Sequence, residues 1–387
     1  MADHTHIEWT DATWNPVTGC TLVSAGCTNC YAARLAATRL RNHPSRAGLA
    51  RLNAAGVAKF TGEVRFNEQW LDQPLRWRRP RRVFVCAHGD LFHEDVPNAW
   101  IDRVFAVMAL APQHTFQVLT KRPERMRAYL AWPQRPYRIA STALIVGRHM
   151  PHEHPAWARD RWTFSAAVIA RPAQWPLPNV WLGTSAEDQA TADARIPHLL
   201  ATPAAVRFVS AEPLLGPLDL TKVGNLESCR SAFPSVVADE VRHMAPHVIN
   251  GFQIDALGKP YQSTAYFQTP DHMGGFAIGT RRWPRLDWVI AGGESGPGAR
   301  PMHPDWARSL RDQCAEASLD FHFKQWGEWA PTPGRAHFKE AFSDEWRRVD
   351  SLTPGVRPAL MSRIGKSSAG RLLDGIEHNA MPEVPSW

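Results

Sequence analysis

The sequence predicts an α/β protein built on a parallel βα barrel, complete or partial in the manner of a TIM barrel. Three observations carry that expectation. Short apolar runs recur along the chain, each ends in a polar or glycine-containing stretch, and helical patterns often follow. Runs that are apolar at successive positions suit strands buried on both faces, and their alternation with helices suits parallel βα units.

The units follow in order. A first strand is expected near Ile7 to Trp14 or Val64 to Asn67. The clearest later runs are Val83-Phe-Val-Cys-Ala before His88-Gly-Asp90, Thr115-Phe-Gln-Val-Leu before Thr120-Lys121-Arg122-Pro123, and Val180-Trp-Leu before Gly183-Thr-Ser185-Ala-Glu187. Val206-Arg-Phe-Val precedes Ser210-Ala-Glu212-Pro213, Leu286-Asp-Trp-Val-Ile-Ala precedes Gly292-Gly-Glu294-Ser295, and Asp320-Phe-His-Phe precedes Lys324-Gln325-Trp326. The count thus reaches seven or eight strands. Helices are expected over Asn98 to Leu110 and Pro304 to Ala317, the second with Trp306, Leu310 and Cys314 on one face at helical spacing. Residues 131–178, rich in Pro, Arg, His and Trp, and residues 222–285 lack the βα rhythm and read as insertions in long loops. A C-terminal extension covers 330–387, where Leu372-Leu373-Asp374-Gly375 suits a short helix or a strand end. The whole chain is read as one domain.

In βα barrels the reactive groups gather at the C-terminal ends of the strands. That rule gives Asp90, Lys121, Glu187, Glu212, Glu294 and Lys324 a common destination, because each lies just past an apparent strand. Taken singly, each is an ordinary loop charge or helix cap. Asp90, Lys121, Glu187, Glu212 and Lys324 are the candidate catalytic residues.

The strongest chemical signal is Cys20-Thr-Leu-Val-Ser-Ala-Gly-Cys27-Thr-Asn-Cys30-Tyr31, which holds three of the six cysteines. Three thiolates from one short loop suit a metal. A 4Fe-4S cluster with three protein ligands keeps one iron open to a small molecule, whereas structural zinc needs a fourth ligand, for which His4, His6 and His88 are candidates. Buried thiols without metal are the third reading. Cys86, Cys229 and Cys314 are scattered and form no disulfide framework, which suits a reducing, cytoplasmic compartment.

With 387 residues and 44% hydrophobic content the chain can bury a large core. It contains no apolar run long enough for a membrane helix, and no secretory signal is expected. The net charge of +7 and the run Arg76-Trp77-Arg78-Arg79-Pro80-Arg81-Arg82 keep nucleic acid open as a partner, although such runs are usually solvated surface.

Several separated motifs carry a family resemblance. They are Ile7-Glu-Trp-Thr-Asp-Ala-Thr-Trp-Asn-Pro-Val-Thr-Gly-Cys20, Gly89-Asp-Leu-Phe-His93, Leu119-Thr-Lys-Arg-Pro123, Asn179-Val-Trp-Leu-Gly183, Ser210-Ala-Glu-Pro-Leu-Leu-Gly216, Gly292-Gly-Glu-Ser-Gly-Pro-Gly-Ala-Arg-Pro301 and Phe323-Lys-Gln-Trp-Gly-Glu-Trp329. In these the chain resembles the three-cysteine-motif family of phage and bacterial proteins, a family of unknown function whose members resemble radical S-adenosylmethionine (SAM) enzymes. The resemblance implies a 4Fe-4S cluster on Cys20, Cys27 and Cys30, SAM as cofactor, an electron donor, and a substrate that is nucleic acid or peptide. That superfamily usually spaces its ligands Cys-x3-Cys-x2-Cys, with an aromatic residue before the last. Here the first gap is six residues, Asn29 holds the aromatic position, and Tyr31 follows instead. The superfamily's Gly-Gly-Glu stretch, which binds the SAM amino group, follows an early strand; Gly292, Gly293, Glu294 and Ser295 follow a late one. They are the candidate cofactor-binding residues, with Glu212 an alternative for the amino group. Lys121, Arg122 and Lys324 are candidates to face an anionic substrate, and Asp90 and Glu187 to bind a ribose or a polar substrate group.

Two other functions stand beside this one. A zinc-stabilised nucleic-acid-binding phage accessory protein would use the arginine run and the 17 tryptophans, and a partner protein is compatible with either reading. Metal-assisted hydrolysis at the barrel mouth is the third, with only His88 and Asp90 to suggest it.

Overall fold

The computed structural model describes residues 5, 7–148, 175–234, 256–257, 264–268, 273–277, 284–332 and 346–383. Its centre is one seven-stranded sheet of β1 (Ala12–Trp14), β2 (Arg82–Val85), β3 (Thr115–Thr120), β4 (Val180–Ser185), β5 (Val206–Ala211), β6 (Trp288–Gly292) and β7 (Asp320–Gln325). The strands lie side by side in chain order, and every neighbouring pair is parallel. The sheet curls into a half-barrel, and β1 and β7 remain its two edges. A partial barrel is therefore present, and among the described residues no strand pairing closes it. The Val64–Asn67 alternative for the first strand falls away, because Arg65–Phe66 pairs antiparallel with Val17–Thr18 outside the main sheet.

Side chains alternate across each strand, so each face of the sheet has its own packing. On the outer face Val83, Val85, Phe116, Val118, Val180, Leu182, Val289 and Phe323 join the main core. That core is covered by α2 (Asn98–Leu110), α3 (Pro123–Leu130), α5 (Gln189–Leu200) and α7 (Pro304–Glu316). Trp306, Leu310 and Cys314 are buried along α7, as the periodicity requires. The short helix α1 (Tyr31–Ala37) follows β1.

The inner face carries a second, aromatic cluster of Trp9, Phe84, Trp181, Phe208, Trp288 and Ile290. Trp9 lies 4.7 Å from Phe84 and 6.1 Å, edge-on, from Trp288. Phe208 needs the space at Gly183, where a Cβ would sit 2.5 Å from its ring. The tail closes this end: Asn379 bridges antiparallel to His322 on the β7 edge, and the Trp288 indole donates to the Ala380 carbonyl at 2.9 Å.

Three stretches hold regular structure beyond the sequence reading. The stretch 131–178 is more than loop: α4 (Arg135–Arg148) occupies its first part and packs on α2, tied by Asp102, which accepts from Arg135 at 2.8 Å and from Arg138 at 3.1 Å. Its buried Ile139, Ala140 and Ala143 recur at helical spacing, but the Arg and Pro residues around them hid the pattern. The stretch 222–285 includes α6 (Leu226–Ala232) and a hairpin of Thr264–Gln268 with Met273–Ala277. The extension builds a three-stranded antiparallel sheet from Trp329–Pro331, Ala359–Arg363 and Trp346–Val349, while Leu373 makes only a turn-like bridge to Ile376. No helix among the described residues is long and apolar enough to cross a membrane.

Candidate functional site

The cysteine loop leaves the C-terminal end of β1 and lies over the mouth of the half-barrel. Gly19 bridges to Gly89 in the loop after β2, a one-turn helix spans Ala25–Cys27, and Cys30 caps α1 with an extended backbone. Three strand-end loops then grip it. From the β3 end, Arg122 places Nη1 3.6 Å from the Cys20 sulfur and also donates to Thr21. From the β4 end, Glu187 accepts from Ser24 Oγ at 2.7 Å, and Gly26 packs so closely on that carboxylate that a Cβ has no room. From the β6 end, Glu294 accepts from Asn29 Nδ2 at 3.0 Å, while Arg300 donates to the Ala25 carbonyl at 3.0 Å.

The strand alternation explains which charges reach the mouth. Continuing the inner-face positions Trp181, Gly183 and Ser185 leads to Glu187; Phe208 and Ser210 lead to Glu212; His322 leads to Lys324; Gln117 and Leu119 lead to Lys121. These four residues form two cross-strand ion pairs. Lys121 pairs with Glu187, whose other oxygen accepts from Arg195 at 2.8 Å, and Lys324 donates to Glu212 at 2.7 Å.

The three carboxylates differ in what remains free. Burial would push Glu187 up, but the charges of Lys121 and Arg195 outweigh it and hold the carboxyl at about 2. Glu294 is saturated: Oε2 accepts from the Arg300 backbone and Nε, both at 2.9 Å, and from Asn29, and Oε1 accepts from Arg300 Nη2 at 2.6 Å. Glu212 has Lys324 as its one side-chain hydrogen-bond partner among the described residues, at Oε1, and each side chain keeps 16% of its surface exposed. The glycines before Glu294 have a packing reason, since Gly293 lies directly against the Trp326 carbonyl and joins the β6 and β7 loops. Ser295 accepts from Gln325 at 3.2 Å.

Asp90 reaches the cysteine loop through Arg122, whose Nη1 bonds both Cys20 and this carboxylate. It accepts from Thr120 Oγ1 at 2.7 Å, from Phe92 N at 2.9 Å and from Arg122 Nη1 at 3.0 Å, so it fixes the arginine that reaches Cys20. Hydrogen bonds and ion pairs link Lys121, Glu187, Glu212, Glu294 and Lys324 to one another or to the cysteine loop, and Asp90 joins that network through Arg122. Arg195, Arg300, Ser24 and Asn29 complete the network. Of these, Arg300 sat in a recognised motif, while Arg195 gave no local signal.

Cys20, Cys27 and Cys30 are partly exposed, while Cys86, Cys229 and Cys314 are buried. Burial pushes the Cys20 thiol up to about 12, with the Asp90 charge adding and Arg122 opposing. Burial also raises Cys30, against the pull of the Ala33 and Ala32 amides and of Lys121. Cys20 senses the charge of Cys30, and Cys30 that of Cys27, so the sulfurs lie within electrostatic reach of one another. Among the described residues no three His, Cys, Asp or Glu side chains are already gathered as a metal centre. The donors still fit a thiolate-bound group in kind: three soft ligands on one loop, with Arg122 and Lys121 beside them to offset thiolate charge. Of the zinc-completing candidates, His4 and His6 lie outside the described residues, and the His88 Nδ1 faces Arg46 at 3.4 Å.

The arginine run lies before β2, at the strand end opposite the cysteine loop. Arg76 pairs with Asp72, Arg82 with Asp11 at 2.8 Å, and Arg81 covers the ring of buried Trp77. Much of its charge therefore serves local structure.

No curated protein and no solved structure matches the chain. A family model described as "Protein of unknown function (DUF5131)" matches residues 4–382. Coverage of nearly the whole chain, from the segment before β1 to the tail that closes the half-barrel, makes this protein a member of that family.

Proposed function

We propose that this protein is a radical-SAM-type enzyme in which Cys20, Cys27 and Cys30 hold a 4Fe-4S cluster. The observation that carries the reading is the position of the cysteine loop: it follows the first strand of a parallel half-barrel and is held across the mouth by Arg122, Glu187 and the Glu294–Arg300 pair. A purely stabilising metal knuckle needs no such anchoring to three separate strand ends. When bound, such a cluster supplies the electron that cleaves SAM reductively and yields a carbon-centred radical.

The residues of the chain have the remaining roles. Glu212 and Lys324 offer one anionic and one cationic group to a zwitterionic ligand, and Glu212 is the better partner for an ammonium because Glu294 is already saturated. Glu187 and Glu294 are positioning residues that fix the loop. The aromatic cluster below the mouth keeps bulk water out of the lumen floor. The substrate is a nucleic acid or a peptide that reaches the charged rim.

Anaerobic purification with metal analysis, followed by reduction in the presence of SAM, tests this reading. Iron with sulfide, a visible iron–sulfur spectrum and release of methionine are expected, and Cys27→Ala should abolish all three. Tight binding of one zinc and no iron uptake would overturn it and favour the zinc-stabilised alternative.

A further inference from the structure

Arg46 is 3% exposed, and no carboxylate is among its partners in the described residues. Its Nη1 donates to Ser45 Oγ and its Nε to His88 Nδ1 at 3.4 Å. Ser45 Oγ also meets His43 Nδ1 at 2.8 Å. Burial holds His88 down to about 4, so its ring is neutral at pH 7, and burial pushes the nearby Cys86 thiol up to about 12. The side chains that accept from the guanidinium among the described residues, Ser45 and His88, are thus neutral. A buried charge left without a counter-ion is costly, and guanidinium is the side chain best shaped to take an oxyanion in a two-pronged grip.

The location gives that charge a use. His88 lies in the loop after β2, edge-on to Tyr31 with ring centres 6.0 Å apart. Tyr31 follows Cys30 directly, its hydroxyl donates to the Ala87 carbonyl, and about half of its surface faces solvent. His88 and Tyr31 thus connect Arg46 to the start of α1, directly after Cys30.

From this geometry we infer that Arg46, with His88 and Tyr31 as its walls, binds an oxyanion of the substrate, a phosphate or a carboxylate, beside the cysteine loop. The site is separate from the cysteines and does not rest on the iron–sulfur reading. The positive charge it uses is distinct from the arginine run before β2.

The test is titration of the full-length protein with inorganic phosphate and, separately, with acetate, at constant ionic strength, by calorimetry and thermal denaturation. Saturable binding of one equivalent is expected. Phosphate also stabilises proteins generally by exclusion from their surface, so saturation and stoichiometry are the informative readouts. Which anion binds more tightly identifies the group. Arg46→Gln should weaken binding at least tenfold while lowering the midpoint of the anion-free protein little, because the substitution removes a buried charge that has no carboxylate partner among the described residues. Arg46→Lys keeps the charge, should fold, and should bind with intermediate affinity. Arg79→Gln, in the exposed run, should bind as wild type does. Equal affinity in wild type, Arg46→Lys and Arg46→Gln would overturn the inference. So would an absence of saturable binding, or a loss of bound metal in Arg46→Gln with anion affinity unchanged, which would make Arg46 a counter-charge for the cysteine loop.

Discussion

The floor and the mouth of the half-barrel are built from the same inward-facing column of strand positions, yet by opposite chemistry. On β4 the column runs Trp181, Gly183, Ser185, Glu187; on β5 it runs Phe208, Ser210, Glu212. At the floor, aromatic rings satisfy one another by contact, and the cost of losing one is the cost of a void. At the mouth, carboxylates and ammonium groups pair across strands, and the cost of losing one is a stranded charge. The floor therefore supports the fold, and the mouth combines support with a place for chemistry. Within the mouth the same contrast recurs: Glu187 and Glu294 are consumed by the loop they anchor, whereas Glu212 and Lys324, among the described residues, pair with each other.

Substitutions at the two ends separate these roles. The largest effect on stability is expected at the floor, where Trp288→Ala should cost about 3–5 kcal/mol in denaturant unfolding. If it costs under about 1 kcal/mol, the lumen is not a packed core and the contrast collapses. Next is Glu187→Gln at the mouth, which strands Lys121 and Arg195 and should cost about 3 kcal/mol at neutral pH, the value of the shift from 4.5 to about 2. A carboxyl whose pKa is lowered by folding stabilises the protein above its unfolded pKa. That contribution should be lost as pH falls from about 4.5 towards 2, and the wild-type stability curve should lose it there while the Glu187→Gln curve does not. Parallel curves through that window would show that the ion pairs do not form.

Gly183→Ala is expected to cost about 1–3 kcal/mol, because the new methyl meets the Phe208 ring. Pairing it with Phe208→Leu should recover part of the loss, and a double mutant no better than the single would refute that contact. The smallest effect on stability belongs to Glu212→Gln. Its pair with Lys324 is partly exposed, so the midpoint should shift by no more than about 1 kcal/mol, while SAM affinity in a direct binding assay falls. A Glu212→Gln protein with undiminished SAM affinity would remove this carboxylate from the proposed ligand site.

The strand at Val83 and the helix at Asn98–Leu110 were legible because their patterns are local: an apolar run, a polar stop, a helical repeat. The α4 helix was obscured by an Arg- and Pro-bearing start and a nearly neutral mean hydropathy, so its packing on α2 through buried Asp102 had no sequence signature. Glu187, Glu212 and Glu294 looked alike in sequence, each a single acid after a strand. Their different fates depend on Arg195, Lys324 and Arg300, partners 6 to 112 residues away. Arg46 attracted no notice for the same reason, since an arginine in a polar loop is normally solvated, and only burial beside His88 makes it unusual.

By itself the sequence determined that βα units succeed one another, that three cysteines fall in one loop, and that charged residues follow the strands, because periodicity and spacing act over a few residues. Only the tertiary structure decided that the sheet stays open, that the cysteine loop is gripped from three strand ends, and which charges are spent and which remain available. Those outcomes depend on side chains from distant parts of the chain competing for the same oxygen atoms, and no local pattern encodes the winner.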